Sequence, residues 1–175
     1  MADVPDAIVL KRDRDLEGRL NDIWVRRGLM ALIAAVPVIA LFNVFGQRPE
    51  STTLVAPEAS LKIYAPSHLR GGLIFQARFH VTARQEIKDA YLVLGPGWAE
   101  GMTINTIEPS PVSEASNNGR ISLELGHIPA GQSYILFTDF QVNPTNVAFG
   151  RRQTVWLTDG KTRLITYERE INVYP

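Results

Sequence analysis

Three histidines, His68, His80 and His127, are the first residues to ask about chemistry, because imidazole can serve as a metal ligand or a general base near neutral pH. Either job needs partners at fixed spacing; H-E-x-x-H, for example, puts two imidazoles and a carboxylate on one helical face. None of the three has a second histidine or a carboxylate at such spacing. His80, between Phe79 and Val81, reads as an outward side chain of a strand, and His68 and His127 fall in or beside loops. The nucleophile patterns G-x-S-x-G and S-x-x-K are both absent. Glu100, Glu108 and Glu114 read as solvated loop residues rather than a catalytic pair. "GPGWAEG", 95–101, is glycine-rich but leads into no helix, so it reads as a turn and not a phosphate cradle. Trp98 on that turn is expected at a rim, open to a ligand or a membrane. With no cysteine in the chain, thiolate metal sites, disulfides and cysteine nucleophiles are excluded. The expectation is no catalytic residue, no metal and no cofactor.

The elements that would carry these residues divide the chain into parts. Residues 1–27 hold six Lys/Arg and six Asp/Glu, and residues 28–46 hold no charge at all. The remainder holds 12 of each sign, so the whole is neutral and has no net field for nucleic acid. From Gly28 to Gly46 only Asn43 has a polar side chain. As a helix, that run spans roughly 28 Å at about 1.5 Å per residue, close to a hydrocarbon core of about 30 Å. It is apolar on every side, unlike a core helix, which keeps a polar face. Its long charged leader and its exit, without a small-x-small pair, favour an uncleaved signal-anchor over a secretory signal. Lys11, Arg12, Arg14, Arg19, Arg26 and Arg27 precede the span, and only Arg48 and Lys62 follow closely. The N-terminus is therefore expected in the cytoplasm and residues 47–175 outside it, on a cell membrane.

Details at the span suggest partners. Leu16, Leu20, Ile23 and Trp24 form a stripe of an amphipathic helix ahead of it, with Trp24, Arg26 and Arg27 suited to the headgroup layer. The stripe is read first as the opening turns of one long helix, with a docking helix as the alternative. Pro37 predicts a modest kink. Ala31 and Ala35, one turn apart, offer a small-residue face to a neighbouring helix, and Asn43 an interhelical hydrogen bond.

Beyond a polar stretch read as a linker, 47–59, alternation replaces helical periodicity. In "LIFQARFHVTA", Leu73, Phe75, Ala77, Phe79, Val81 and Ala83 face one way and Gln76, Arg78, His80 and Thr82 the other. Further strands are expected at Ser60–Tyr64, Asp89–Leu94, Met102–Ile107, Arg120–Leu125, Ser133–Val142, Gln153–Thr158 and Arg163–Val173. Asp159-Gly160 suits a type I′ hairpin. Seven or eight strands with turns between them predict an all-β, immunoglobulin-like β-sandwich over 60–175. The cysteine pair and core tryptophan of antibody domains are not expected. "LELGHIPAGQSYILFTDFQV" and the terminal "REINVYP" resemble segments of bacterial immunoglobulin-like and CARDB-like ectodomains. That resemblance covers fewer than 30 residues and implies a bacterial sandwich without carrying over any functional residue.

One strand is apolar on both faces. Beside Tyr134, Leu136, Phe140 and Val142, its other side offers Ile135 and Phe137; Trp156 likewise opposes Val155 and Leu157. Either a loop or the linker covers these three, or they form a partner patch. The function expected is a non-enzymatic, single-pass membrane protein. Its exported sandwich would be an accessory subunit of a larger membrane complex, with partners being the bilayer, a polytopic protein or a second copy through the helix, and no nucleic acid. The alternative is an anchored module for cell-wall glycan or a small solute, stacking on Trp98 and Trp156. An enzyme with a dispersed site is third.

Overall fold

The computed structural model describes residues 20–42, 47 and 49–175. They belong to two compact units that divide between Val44 and Phe45.

The first unit contains one helix, α1 (Leu20–Leu41), which carries Pro37 inside it. Asn21–Leu41 is long and apolar enough to cross a membrane. The helix starts ahead of the expected Gly28 because nothing in Asn21–Arg27 breaks it; Ile23, Trp24, Arg26 and Arg27 are its opening turns. Its last described turn closes with Phe42 N–H donating to the Ile39 carbonyl at 3.2 Å. Asn43 and the rest of 43–46, like Leu16 and the other residues of 1–19, lie outside the described residues.

The second unit is mostly β. Its strands are β1 (Pro49–Val55), β2 (Ala59–Pro66), β3 (His68–Arg70), β4 (Ile74–Ala83), β5 (Ile87–Leu94), β6 (Met102–Glu108), β7 (Ser113–Asn117), β8 (Arg120–Ile128), β9 (Ser133–Val142), β10 (Ala148–Asp159) and β11 (Thr162–Tyr174). They form two sheets, ordered β1-β2-β4-β9-β6 and β3-β11-β10-β5-β8-β7. Both sheets feed one apolar core in a sandwich-like arrangement. Alternation places Phe75, Ala77, Phe79, Val81 and Ala83 of β4 inside, Leu136, Phe140 and Val142 of β9 beside them, and Leu92, Leu123, Val155, Leu157 and Ile171 opposite. Leu73 ends outside this pattern, ahead of β4 and half exposed.

Three expectations are corrected here. The described strands number eleven rather than seven or eight. The stretch read as a linker, 47–59, is not one: Pro49–Val55 pairs along the whole of β2, and Pro49 is accommodated because it opens an edge strand. β7, "SEASN", is exposed throughout, so it offers no alternation to read. The β10–β11 hairpin forms, but Asp159 pairs with Thr162, leaving Gly160-Lys161 as the loop. Gly160 alone takes positive φ there, so the turn has Gly first and is not type I′. The two positive-φ residues of a type I′ turn are instead Asn118 and Gly119, between β7 and β8.

Candidate functional site

The two apolar residues flagged on β9 stand on the outer face of the five-stranded sheet, where cross-strand register decides their neighbours. One rung carries Tyr64 of β2, Arg78 of β4, Phe137 of β9 and Glu108 of β6. The next carries Lys62, His80 and Ile135. Together Lys62, Tyr64, Arg78, His80, Ile135 and Phe137 line a shallow hollow of about 250 Å³. Among the described residues no loop lies over it. Ile135 is 42% exposed, and Phe137 is half-buried by the arginine beside it.

Arg78 is the most ordered group of the hollow. Its guanidinium lies 5.3 Å from the Tyr64 ring centroid and 5.6 Å from that of Phe137, between two negative π faces. Its Nε–H donates to Gln76 Oε1 at 2.9 Å, and Gln76 Nε2 in turn donates to Asp139 Oδ1 at 3.1 Å. Among the described residues the two Nη groups have no hydrogen-bond partner, and neither Arg78 nor Lys62 forms an ion pair. His80 Nε2 has only a long contact, 3.5 Å to Thr82 Oγ1. The arrangement can hold an anion with an apolar body: a fixed guanidinium fork supplies charge and direction, and Ile135 and the rings supply contact area.

Trp156 stands on the outer face of the other sheet, partly buried. Its ring is clamped by the guanidinium groups of Arg120 and Arg163, at 5.2 and 5.4 Å from the centroid. Among the described residues it is two arginines of its own domain, rather than a loop, that cover it. Trp98 is not at a rim. It is fully buried in a one-turn 3-10 helix, Pro96–Trp98. It packs edge-on against Phe79 at 5.4 Å and tilted against Phe140 at 5.5 Å. The core therefore has a tryptophan after all, and a stacking platform for solute at Trp98 is ruled out. The reason is local: Gly97 lets the turn press onto β10 so closely that a Cβ there would sit 2.0 Å from the Arg152 carbonyl oxygen.

Beneath Trp98 lies a feature sequence reasoning missed. Arg169 of β11 places its guanidinium 4.8 Å from the indole centroid. It donates from Nε and Nη2 to Gln153 Oε1, at 3.0 and 2.7 Å, and from Nη1 to the Ala65 carbonyl at 2.9 Å. Fully buried Gln153 donates to the Gly97 carbonyl at 3.2 Å. Desolvation lowers the Arg169 pKa to about 10, which leaves it charged at neutral pH. Its signal in the sequence was Gln153 paired across the hairpin with Arg169 at inward positions, legible only with the hairpin register in hand.

The remaining polar and helix residues do not converge on one site. Ser67, buried, donates its hydroxyl to the Glu50 carboxylate and lies 2.9 Å from His68 Nδ1. In a Ser-His-acid triad the imidazole stands between hydroxyl and carboxylate; here the hydroxyl stands in the middle, so no base faces it in the required order. The group pins β1, the β2–β3 switch and, through a His68–Tyr174 stack at 6.1 Å, the end of β11. His127 meets Glu86 at 2.9 Å on the surface. Among the described residues no group of three His, Asp or Glu could hold a metal. Arg152 pairs with Glu168, and Arg151 donates to Asn146 Oδ1 at 2.9 Å, so both are engaged within the domain. On α1, Ala31 is exposed and Ala35 partly so. Trp24 is 67% exposed, with the Arg27 guanidinium 5.5 Å over its ring.

No family model matches the chain, and no curated protein matches it. Solved structures give distant likenesses. AvmM, which catalyses macrocyclisation in alchivemycin A biosynthesis, is 6% identical over 74% of this chain and 90% of its own, with a TM-score of 0.41. A non-cellulosomal cohesin from the hyperthermophilic archaeon Archaeoglobus fulgidus is 9% identical over 61% and 85%, at 0.38. A GH20 exo-β-N-acetylglucosaminidase from Vibrio harveyi, solved with N-acetylglucosamine, is 13% identical over 73% of this chain but 18% of its own, at 0.31. At these scores and identities none carries an argument about activity, ligand or partner.

Proposed function

We propose that the chain is a non-enzymatic, single-pass membrane protein whose exported β domain acts as an accessory or interaction subunit of a larger membrane protein complex. The observation that carries the reading is the uncovered hollow on the five-stranded sheet, where Ile135 and Phe137 meet solvent beside an ordered guanidinium. An exposed apolar patch rimmed by charged and polar groups on a sheet face is the kind of surface that marks an interaction site. Support for the anchor comes from α1, whose Leu29, Met30, Leu32, Ile33, Val36 and Val38 are all more than half exposed, as suits a helix solvated by lipid or by other helices. The Lys/Arg excess before the helix supports a cytoplasmic N-terminus and an extracytoplasmic domain.

The same reading takes the domain as immunoglobulin-like. The order β2-β4-β9-β6 facing β11-β10-β5 follows the ABED and GFC order of that architecture. β7 and β8 extend the second sheet past β5, and they come after β6 in the chain.

The test is purification of tagged full-length protein from its native membrane in mild detergent, with mass spectrometry of what accompanies it. A near-stoichiometric multi-span protein is expected. Emergence of the chain alone, across several detergents, would sink the accessory reading.

A further inference from the structure

We infer that the Arg78 hollow is a receptor for an extended acidic segment of the protein partner. This deepens the accessory reading and rests on it for the partner being a protein. The first ground is charge. The lining of the hollow contributes two cations, Lys62 and Arg78, with His80 as a further polar group, and no carboxylate. The nearest acids on the face are Asp139, occupied by Gln76, and Glu108, beyond Phe137 on the edge strand.

The second ground is preorganisation. Arg78 sits over the Tyr64 and Phe137 rings and is held at Nε by Gln76, so part of the entropy cost of fixing a long side chain has been met before any ligand arrives. What remains open is the pair of Nη groups, the fork that takes a carboxylate bidentately. The third ground is spacing. Arg78 and His80 point out from one strand two residues apart, which is about 6.5–7 Å. An extended peptide repeats its same-side carboxylates at that interval, so acids at alternate positions meet Arg78 on one rung and His80 with Lys62 on the next. Its backbone then lies over Ile135 and Phe137. A lone phosphate headgroup would engage the first rung and leave the second unused.

The test uses the full chain in neutral detergent and two fluorescein-labelled peptides, one alternating Glu and Thr, the other with Gln for every Glu. Fluorescence anisotropy should show the Glu peptide binding about tenfold or more tightly than the Gln peptide, weakening as salt is raised. Arg78→Gln should lower the affinity about tenfold or more, as expected for loss of a charged hydrogen bond. Ile135→Glu, at an exposed position that leaves the core intact, should do the same by repulsion. Equal binding of both peptides, no binding of either, or binding indifferent to both variants overturns the inference. Phosphatidylglycerol vesicles and polygalacturonate are run in parallel. If either binds in an Arg78-dependent way while the Glu peptide does not, the hollow serves a lipid headgroup or an acidic glycan and the acidic-segment inference falls. Purification from the native membrane separates the two readings. A multi-span protein retained equally by wild type, Arg78→Gln and Ile135→Glu leaves the accessory function standing and overturns this docking mode. Arg78-dependent peptide binding by a chain that purifies alone does the reverse.

Discussion

A guanidinium under an indole, hydrogen-bonded to neutral oxygens alone, sets the chemistry of the core at the level of single residues. Arg169 has no carboxylate in contact; Gln153 and the Ala65 carbonyl take its protons. Its removal strands those acceptors in a dry interior, and Arg169→Met is expected to cost about 1–3 kcal/mol despite filling similar space. Arg169→Lys should recover little, since one ammonium cannot serve Gln153 through two donors while reaching Ala65. Trp98→Ala empties the largest fully buried side chain and should cost about 3–5 kcal/mol. Gly97→Ala puts a methyl into the Arg152 backbone and should cost about 1–3 kcal/mol or more. Urea titrations of the full chain in neutral detergent, followed by β-sheet circular dichroism, measure all four. A Gly97→Ala midpoint equal to wild type would contradict the close approach described here. None of these contacts could be read from "GPGWAEG". Its glycines mark a turn, but whether a turn folds inward depends on what faces it, and that partner lies more than 50 residues away.

At the level of elements, the sequence revealed strands where one face is wet and the other dry. β4 and β9 fit the alternation because both sit centrally in their sheet, with a core on one side only. β1 and β7 were lost because edge strands need not alternate: "PESTTLV" carries a proline and "SEASN" has no apolar side chain larger than alanine. The hollow was half legible. Ile135 and Phe137 stood out as apolar residues on the wrong face, whereas Arg78 was legible only as an outward residue of its own strand, and its place opposite Phe137 needed the β4–β9 register. The helix was the plainest element, and its small-residue face is open to test. If Ala31 and Ala35 seat a partner helix, Ala31→Leu with Ala35→Leu should reduce the co-purifying multi-span protein several-fold while leaving the chain in the membrane. Unchanged recovery would shift the association onto the β domain.

For the whole molecule, the absence of cysteine supplies a clean way to test sidedness. A single cysteine introduced as Ala115→Cys, on exposed β7, should react with a membrane-impermeant maleimide in intact cells. Asp6→Cys should react only after permeabilisation. The opposite pattern would invert the proposed orientation, and labelling of both in intact cells would remove the anchor.

β11 lies between β3 and β10, and it alone bridges them, pairing parallel to one and antiparallel to the other. Ile165, Arg169, Ile171 and Val173, which complete the core, are also on it. During synthesis, then, β3 has no neighbour in its sheet and Trp98 has no cation beneath it until residues 162–174 have emerged. The outermost strand of that sheet and the cation of the core thus depend on one and the same segment, 162–174.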